Sequence, residues 1–191
     1  AHKYTIEKLG LPKFTNEELR NVIGGNLLEI YVNKFGLSTE VAKEAVSIYR
    51  ERYSEVGINK AELYPECTDM LKKLKDRGYK LAIATLKADA FAKKMAETMG
   101  ISEYFDCICG MANDDNLTKA ELIQMCIHNL KANPTKTVFV GDSLGDYNGA
   151  IKAKVEFIGV TYGFGFKKEV ENSFRTVQDI SELLKVIETN Y

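Results

Sequence analysis

Residues 137–161 read TVFVGDSLGDYNGAIKAKVEFIGVT. An apolar run, TVFVG (137–141), gives way to a short polar stretch, an amphipathic helix is predicted over about 146–153, and a second apolar run, EFIGVT (156–161), follows. A helical crossover between two strand-like runs argues for parallel strands. The same alternation extends upstream, with runs at YKLAIAT (79–85) and FDCICG (105–110) and helices expected near 66–77, 88–99 and 119–131. Strands alternating with helices predict an α/β fold: a parallel sheet with right-handed crossovers and helices on both faces.

Before residue 63 the pattern differs. NEELRNVIGGNLLEIYVNKFG (16–36) and STEVAKEAVSIYRERYSEVG (38–57) carry apolar residues at helical spacing with glycine at their ends. Ser38 is the expected N-cap of the second helix, with Glu40 in its first turn. The chain is therefore divided into a small all-helical unit, 1–62, and an α/β unit, 63–191.

Bulk properties narrow the function. A chain of 191 residues with 45% apolar content can bury a proper core, and a net charge of −1 with interleaved lysines and acids argues against nucleic acid or an anionic membrane as partner. No apolar run approaches a membrane span and AHKYTIEKLG lacks the layout of a signal peptide, so a cytoplasmic protein is expected. Cys67, Cys107, Cys109 and Cys126 form no CxxC pair and are read as small buried hydrophobes. With only His2 and His128 to join them, a zinc site is not expected.

In open parallel sheets ligands bind beyond the carboxyl ends of the strands, so the residues ending each run share one crevice. These are Thr85, Gly110, Asp142 and Thr161. Asp146 lies four residues beyond Asp142, and two readings stand for it: a first-turn acid of the next helix, or half of a carboxylate pair suited to a hard cation such as Mg²⁺. Thr85 opens TLKADA (85–90), whose hydroxyl and backbone N–H groups can hold an anion; β-propensity alone also explains a threonine there. Lys119 opens a helix in NDDNLTKAELIQ (113–124), where a cation is mildly unfavourable, so it is read either as a ligand group or as a solvated surface lysine.

The order strand–Thr85, helix-opening Lys119, strand–GDSLGD resembles three successive motifs of the haloacid dehalogenase superfamily. LYPECTDMLKKLKDRGYKLAIATLK (63–87) and VFVGDSLGDYNGAIKAKVEFIGVTYGFG (138–165) are similar to its phosphoglycolate phosphatase branch, and IEKLGLPKFTNEELRNVIGG (6–25) to that branch's helical cap. The resemblance implies a Rossmann-like three-layer core and hydrolysis of a small phosphate monoester, phosphoglycolate-like, a sugar phosphate or a nucleotide, through an aspartyl-phosphate. It implies that Thr85, Leu86, Lys87 and Lys119 bind the phosphoryl group, with Thr85 and Lys119 catalytic, and that Asp142 and Asp146 serve Mg²⁺, Asp142 directly and Asp146 in support. A small phosphorylated metabolite is the expected partner of a monomer or homodimer. Leaving-group contacts would fall near Gly24, Gly25 and Asn26, or on Arg50 and Arg52; a helix break and a solvated charged helix explain the same residues.

The family's first motif, a strand ending in DxDxT, supplies its nucleophile and is not found. DMLKKL (69–74) and DAFAKK (89–94) belong to helices, and Asp114 with Asp115 to a polar loop. That strand sits centrally, between those matching 79–85 and 137–141. Without it two inner edges would face each other. The native protein is therefore expected to carry it upstream, the present residues alone to be inactive, and the two flanking strands not to pair directly. A non-catalytic or truncated relative that binds a phosphorylated ligand or a partner chain is the alternative. Two smaller departures are Lys154, where the family usually has glycine, predicting left-handed strain or a different helix end, and Leu86 in place of a small or polar residue, read either as ordinary drift in a loop or as narrowing or drying the phosphate pocket.

Overall fold

The computed structural model describes residues 1–20, 22–57, 60–112, 116–166 and 174–190; Asp114 and Asp115 lie outside them. In chain order the elements are α1 (His2–Lys8), α2 (Asn16–Arg20), α3 (Leu27–Glu29), α4 (Thr39–Arg52), α5 (Cys67–Asp76), β1 (Ala82–Ala88), α6 (Asp89–Thr98) and β2 (Cys107–Met111). They continue as α7 (Lys119–Leu130), β3 (Val138–Gly141), α8 (Leu144–Ala153), β4 (Glu156–Val160), β5 (Arg175–Val177) and α9 (Ile180–Asn190).

All strand pairs are parallel, as the alternating pattern predicts. β4 is central in the order β3-β4-β5, with Phe139 opposite Phe157 and Gly141 opposite Gly159. Period-2 alternation sorts its residues between two helical layers. Phe139 and Phe157 pack on Ala120 and Ile123 of α7 and on Ala150 and Ala153 of α8. Val138, Val140, Ile158, Val160 and Val177 turn the other way, onto Leu74 of α5 and Leu183 and Ile187 of α9. Ala84 of β1 joins the first layer and Leu81, just before β1, the second. The result is the expected α/β three-layer core.

Two strand boundaries correct the sequence reading. The run expected at 79–85 forms its strand at Ala82–Ala88, because the ladder with β2 breaks after Ala84–Cys109 and resumes at Ala88–Met111. Thr85, Leu86 and Lys87 therefore bulge within the strand, rather than beginning a loop. β5 was not foreseen: three residues are too few to show an alternating pattern.

β1 and β2 form one sheet and β3, β4 and β5 another; among the described residues β1 and β3 share no backbone pairing. Both remain half-buried along their whole length, whereas β4 is buried from Phe157 to Val160. Two β1 carbonyls instead meet side chains of α7: Ala84 O accepts from Lys119 Nζ at 3.4 Å and Ile83 O from Cys126 Sγ at 3.4 Å.

The N-terminal helices have their own core, in which fully buried Tyr31 packs on Ala42, Ala45 and Val46 of α4. Ser38 caps α4 as expected, its Oγ accepting from Val41 N at 3.4 Å, worth about 1 kcal/mol. Among the described residues no helix is long and apolar enough to cross a membrane.

Candidate active site

The β3–α8 junction builds the centre of the site. Ser143 is the N-cap of α8: its Oγ accepts from Asp146 N at 3.2 Å and donates to Asp146 Oδ2 at 2.8 Å. Asp142 N also donates to Asp146 Oδ2, at 3.2 Å. This is a capping arrangement in which the third helical residue reaches back over the turn, satisfying N–H groups that a helix start otherwise leaves open. Gly141 permits it, since a Cβ there would collide with the Asp146 side chain.

The other carboxylate oxygen of Asp146, Oδ1, takes an ion pair from Lys119 Nζ at 2.9 Å. Both partners are mostly shielded, with side-chain exposures of 15% for Lys119 and 11% for Asp146. Lys119 is thus no solvated surface lysine. Its place in the first turn of α7, awkward for a cation against the helix dipole, is offset by a buried acid. Thr118 caps that helix in a capping box with Glu121, and Gly149 of α8 clears the path of the lysine, because a Cβ there would fall on Lys119 Cγ.

Asp142 is held differently. Its Oδ2 accepts from Phe164 N at 2.6 Å and its carbonyl from Phe166 N at 2.7 Å, so the loop after β4 clasps it from both sides. Gly163 and Gly165 allow that approach; a Cβ on either would strike Asp142. Among the described residues nothing donates to Asp142 Oδ1. A half-buried carboxylate with one oxygen open is a fitting donor for a hard cation that keeps waters and ligand oxygens around it. Asp146, with both oxygens engaged, fits the supporting part.

These residues meet the helical unit across a cleft of about 350 Å³. Lys119, Asp146, Ser143 and Leu86 line it from one side, and Ile23, Gly24, Gly25, Asn26, Asn33 and Lys34 from the other. Asp142, Thr85 and Lys87 are not among its walls. Thr85 Oγ1 accepts from Lys87 N at 3.1 Å, and the Lys87 ammonium turns to Tyr53, 2.7 Å from its hydroxyl and 4.3 Å from its ring centroid. Lys87 thereby ties β1 to the helical turn after α4. Sequence reasoning missed Ser143 and the Gly163–Phe166 clasp; the closely spaced glycines of YGFGF were the only hint of the latter.

The chain as a whole is similar to known proteins. The family described as haloacid dehalogenase-like hydrolase matches residues 1–160. A 5'-nucleotidase of Pseudomonas aeruginosa is 29% identical over 191 residues, covering 98% of this chain and 86% of that protein. A phosphoglycolate phosphatase of Psychrobacter arcticus is 29% identical over 194 residues, covering 94% and 83%. The crystal structure of a predicted phosphatase from Clostridium acetobutylicum superposes with a TM-score of 0.92 at 30% identity, over 98% of this chain and 88% of that one.

Proposed function

Because the chain belongs to the haloacid dehalogenase-like hydrolases, we propose that it is the greater part of a Mg²⁺-dependent phosphatase acting on a small phosphate monoester, with residues 1–62 as a cap over the core 63–191. The observation that carries this reading is the Lys119–Asp146 ion pair in the wall of the cleft, whose carboxylate also holds the turn that carries Asp142 at the carboxyl end of β3. Phosphoryl transfer chiefly demands positive charge fixed where oxygens gain negative charge. Lys119 supplies one such charge, and Asp146 and Gly149 hold it in place without rearrangement.

Asp142 would hold Mg²⁺ through Oδ1, with Asp146 fixing the turn from which Asp142 projects. The chemistry such an ion would supply is Lewis-acid neutralisation of phosphoryl oxygens. The bulged segment Thr85–Lys87 supports phosphoryl binding through its hydroxyl and backbone, and Leu86 dries one wall. Asn26, Asn33 and Lys34 offer donors to the leaving group across a cleft sized for a small ester.

The nucleophile is assigned to an aspartate on a strand seated between β1 and β3, upstream of the cap. The split sheet and the half-buried β1 and β3, each at an edge of its sheet, support this, since such edges seek backbone partners. The split sheet equally suits a non-catalytic relative that binds a phosphorylated ligand.

The test is a panel of phosphoglycolate, sugar phosphates and nucleoside 5'-monophosphates, assayed with Mg²⁺ and with chelator on the protein bearing its upstream segment. Phosphate release that requires Mg²⁺ is expected for at least one class. Saturable binding of these esters without release would select the non-catalytic alternative.

A further inference from the structure

Away from the cleft, β2 and α7 bring three thiols together. Cys107 and Cys109, two apart on β2, face the same way, and Cys126 meets them from two turns into α7. Their sulfur atoms all lie within 4.8 Å of one another, and all three cysteines are free. Cys109 and Cys126 are buried and Cys107 is half-buried, so the cluster has one side through which an ion can enter. Leu122, Leu117, Ala82 and Ala84 surround it. Asn129 Nδ2 donates to Cys109 Sγ at 3.5 Å.

We propose that Cys107, Cys109 and Cys126 form a binding site for a soft monovalent metal ion, Cu(I), held by three sulfurs. Thiolate ligands select soft d¹⁰ ions, and three sulfurs around a metal at ~2.3 Å stand ~4 Å apart, so small side-chain rotations close the observed triangle. Zn²⁺ is the poorer match because it takes four ligands, and among the described residues no fourth His, Cys, Asp or Glu joins the cluster.

Burial raises the Cys107 and Cys126 thiols above their ordinary range, so these two are held as thiols until a metal displaces their protons. Binding is an exchange without electron transfer. Each Cu–S⁻ bond replaces an S–H bond and releases one proton to solvent, and the Cu(I) charge offsets one of the three thiolate charges, so affinity rises with pH. The bound ion would staple β2 to α7, the helix that begins at Lys119.

The reduced full protein, kept anaerobic, should withdraw one equivalent of Cu(I) from a chromogenic Cu(I) chelator and show a sulfur-only, three-coordinate shell by X-ray absorption. Cys107→Ser and Cys126→Ala should each lower the affinity by an order of magnitude or more, while Cys67→Ser, outside the cluster, should leave it unchanged. If Cys126→Ala does not fold, Cys107→Ser at its half-exposed position decides alone. Failure of the wild-type protein to compete for copper, equal affinity in Cys107→Ser, or displacement of Cu(I) by Zn²⁺ would each overturn the assignment.

Discussion

The ammonium of Lys119, on the first residue of α7, lies 2.9 Å from Oδ1 of Asp146, in the first turn of α8. Two helix N-termini therefore meet through one shielded ion pair, and the acid's other oxygen locks the turn that carries Asp142. Charge in the site and the shape of the site are thus one construction. Altering either partner should change both.

Lys119→Met removes a charge from the proposed phosphoryl site and leaves a shielded carboxylate without its cation. Turnover of the complete protein should fall by orders of magnitude, and stability by about 3 kcal/mol. Steady-state kinetics and urea denaturation check both. An unchanged rate would return Lys119 to a structural part alone.

Asp142→Asn should abolish Mg²⁺-dependent turnover with little change in stability. The amide oxygen can still accept from Phe164 N, so the clasp survives while the anionic donor is lost. Isothermal titration with Mg²⁺ separates this from misfolding. Full activity in this variant would remove Asp142 from the metal site.

Gly149→Ala places a methyl group against Lys119 Cβ and Cγ, close to the helix backbone, where the side chain has least freedom to move. A loss of about 1–3 kcal/mol is expected, with a lower kcat as the ammonium leaves Asp146. Thermal unfolding and kinetics on the same sample test it. Wild-type values in both would show that Lys119 is not confined by α8.

Lys154→Gly should stabilise the protein by about 0.5–1 kcal/mol without touching activity. Lys154 ends α8 with φ 59°, a left-handed cap that costs a residue with a Cβ more than it costs glycine. Equilibrium denaturation of the variant measures the difference.

His2 is held neutral, its pKa pushed down to about 4, first by burial and then by the adjacent N-terminal charge. It packs 4.5 Å from the Tyr49 ring centroid, with Nδ1 3.1 Å from the Tyr31 hydroxyl. A folded pKa below the unfolded value of 6.5 means the unfolded chain binds the proton first as pH falls. Its contribution is therefore intact above pH 6.5 and lost progressively down to about 4, roughly 2 kcal/mol after discounting its partial exposure. Denaturation at pH 7 and pH 5, compared with His2→Gln, measures the loss, and an NMR titration midpoint near 6.5 would contradict it.

Much of this molecule is written in local pattern. Apolar runs and helical periodicity specify the parallel α/β order because each element must bury one face, and that requirement leaves its period in the chain. Lys119, Asp142 and Asp146 were legible because strand ends and helix starts converge in such a sheet. Their division of labour was not: whether Asp146 meets a metal or a lysine depends on the approach of α7 to α8, two helices that neither helix's own period relates. The Gly163–Phe166 clasp on Asp142, the turning of Lys87 to Tyr53 and the gathering of three cysteines are likewise contacts between distant segments. Sequence determined which residues reach the carboxyl end of the sheet. Only tertiary packing decided which oxygen each one holds, because hydrogen bonds and ion pairs are set by distances across the fold and leave no period along the chain.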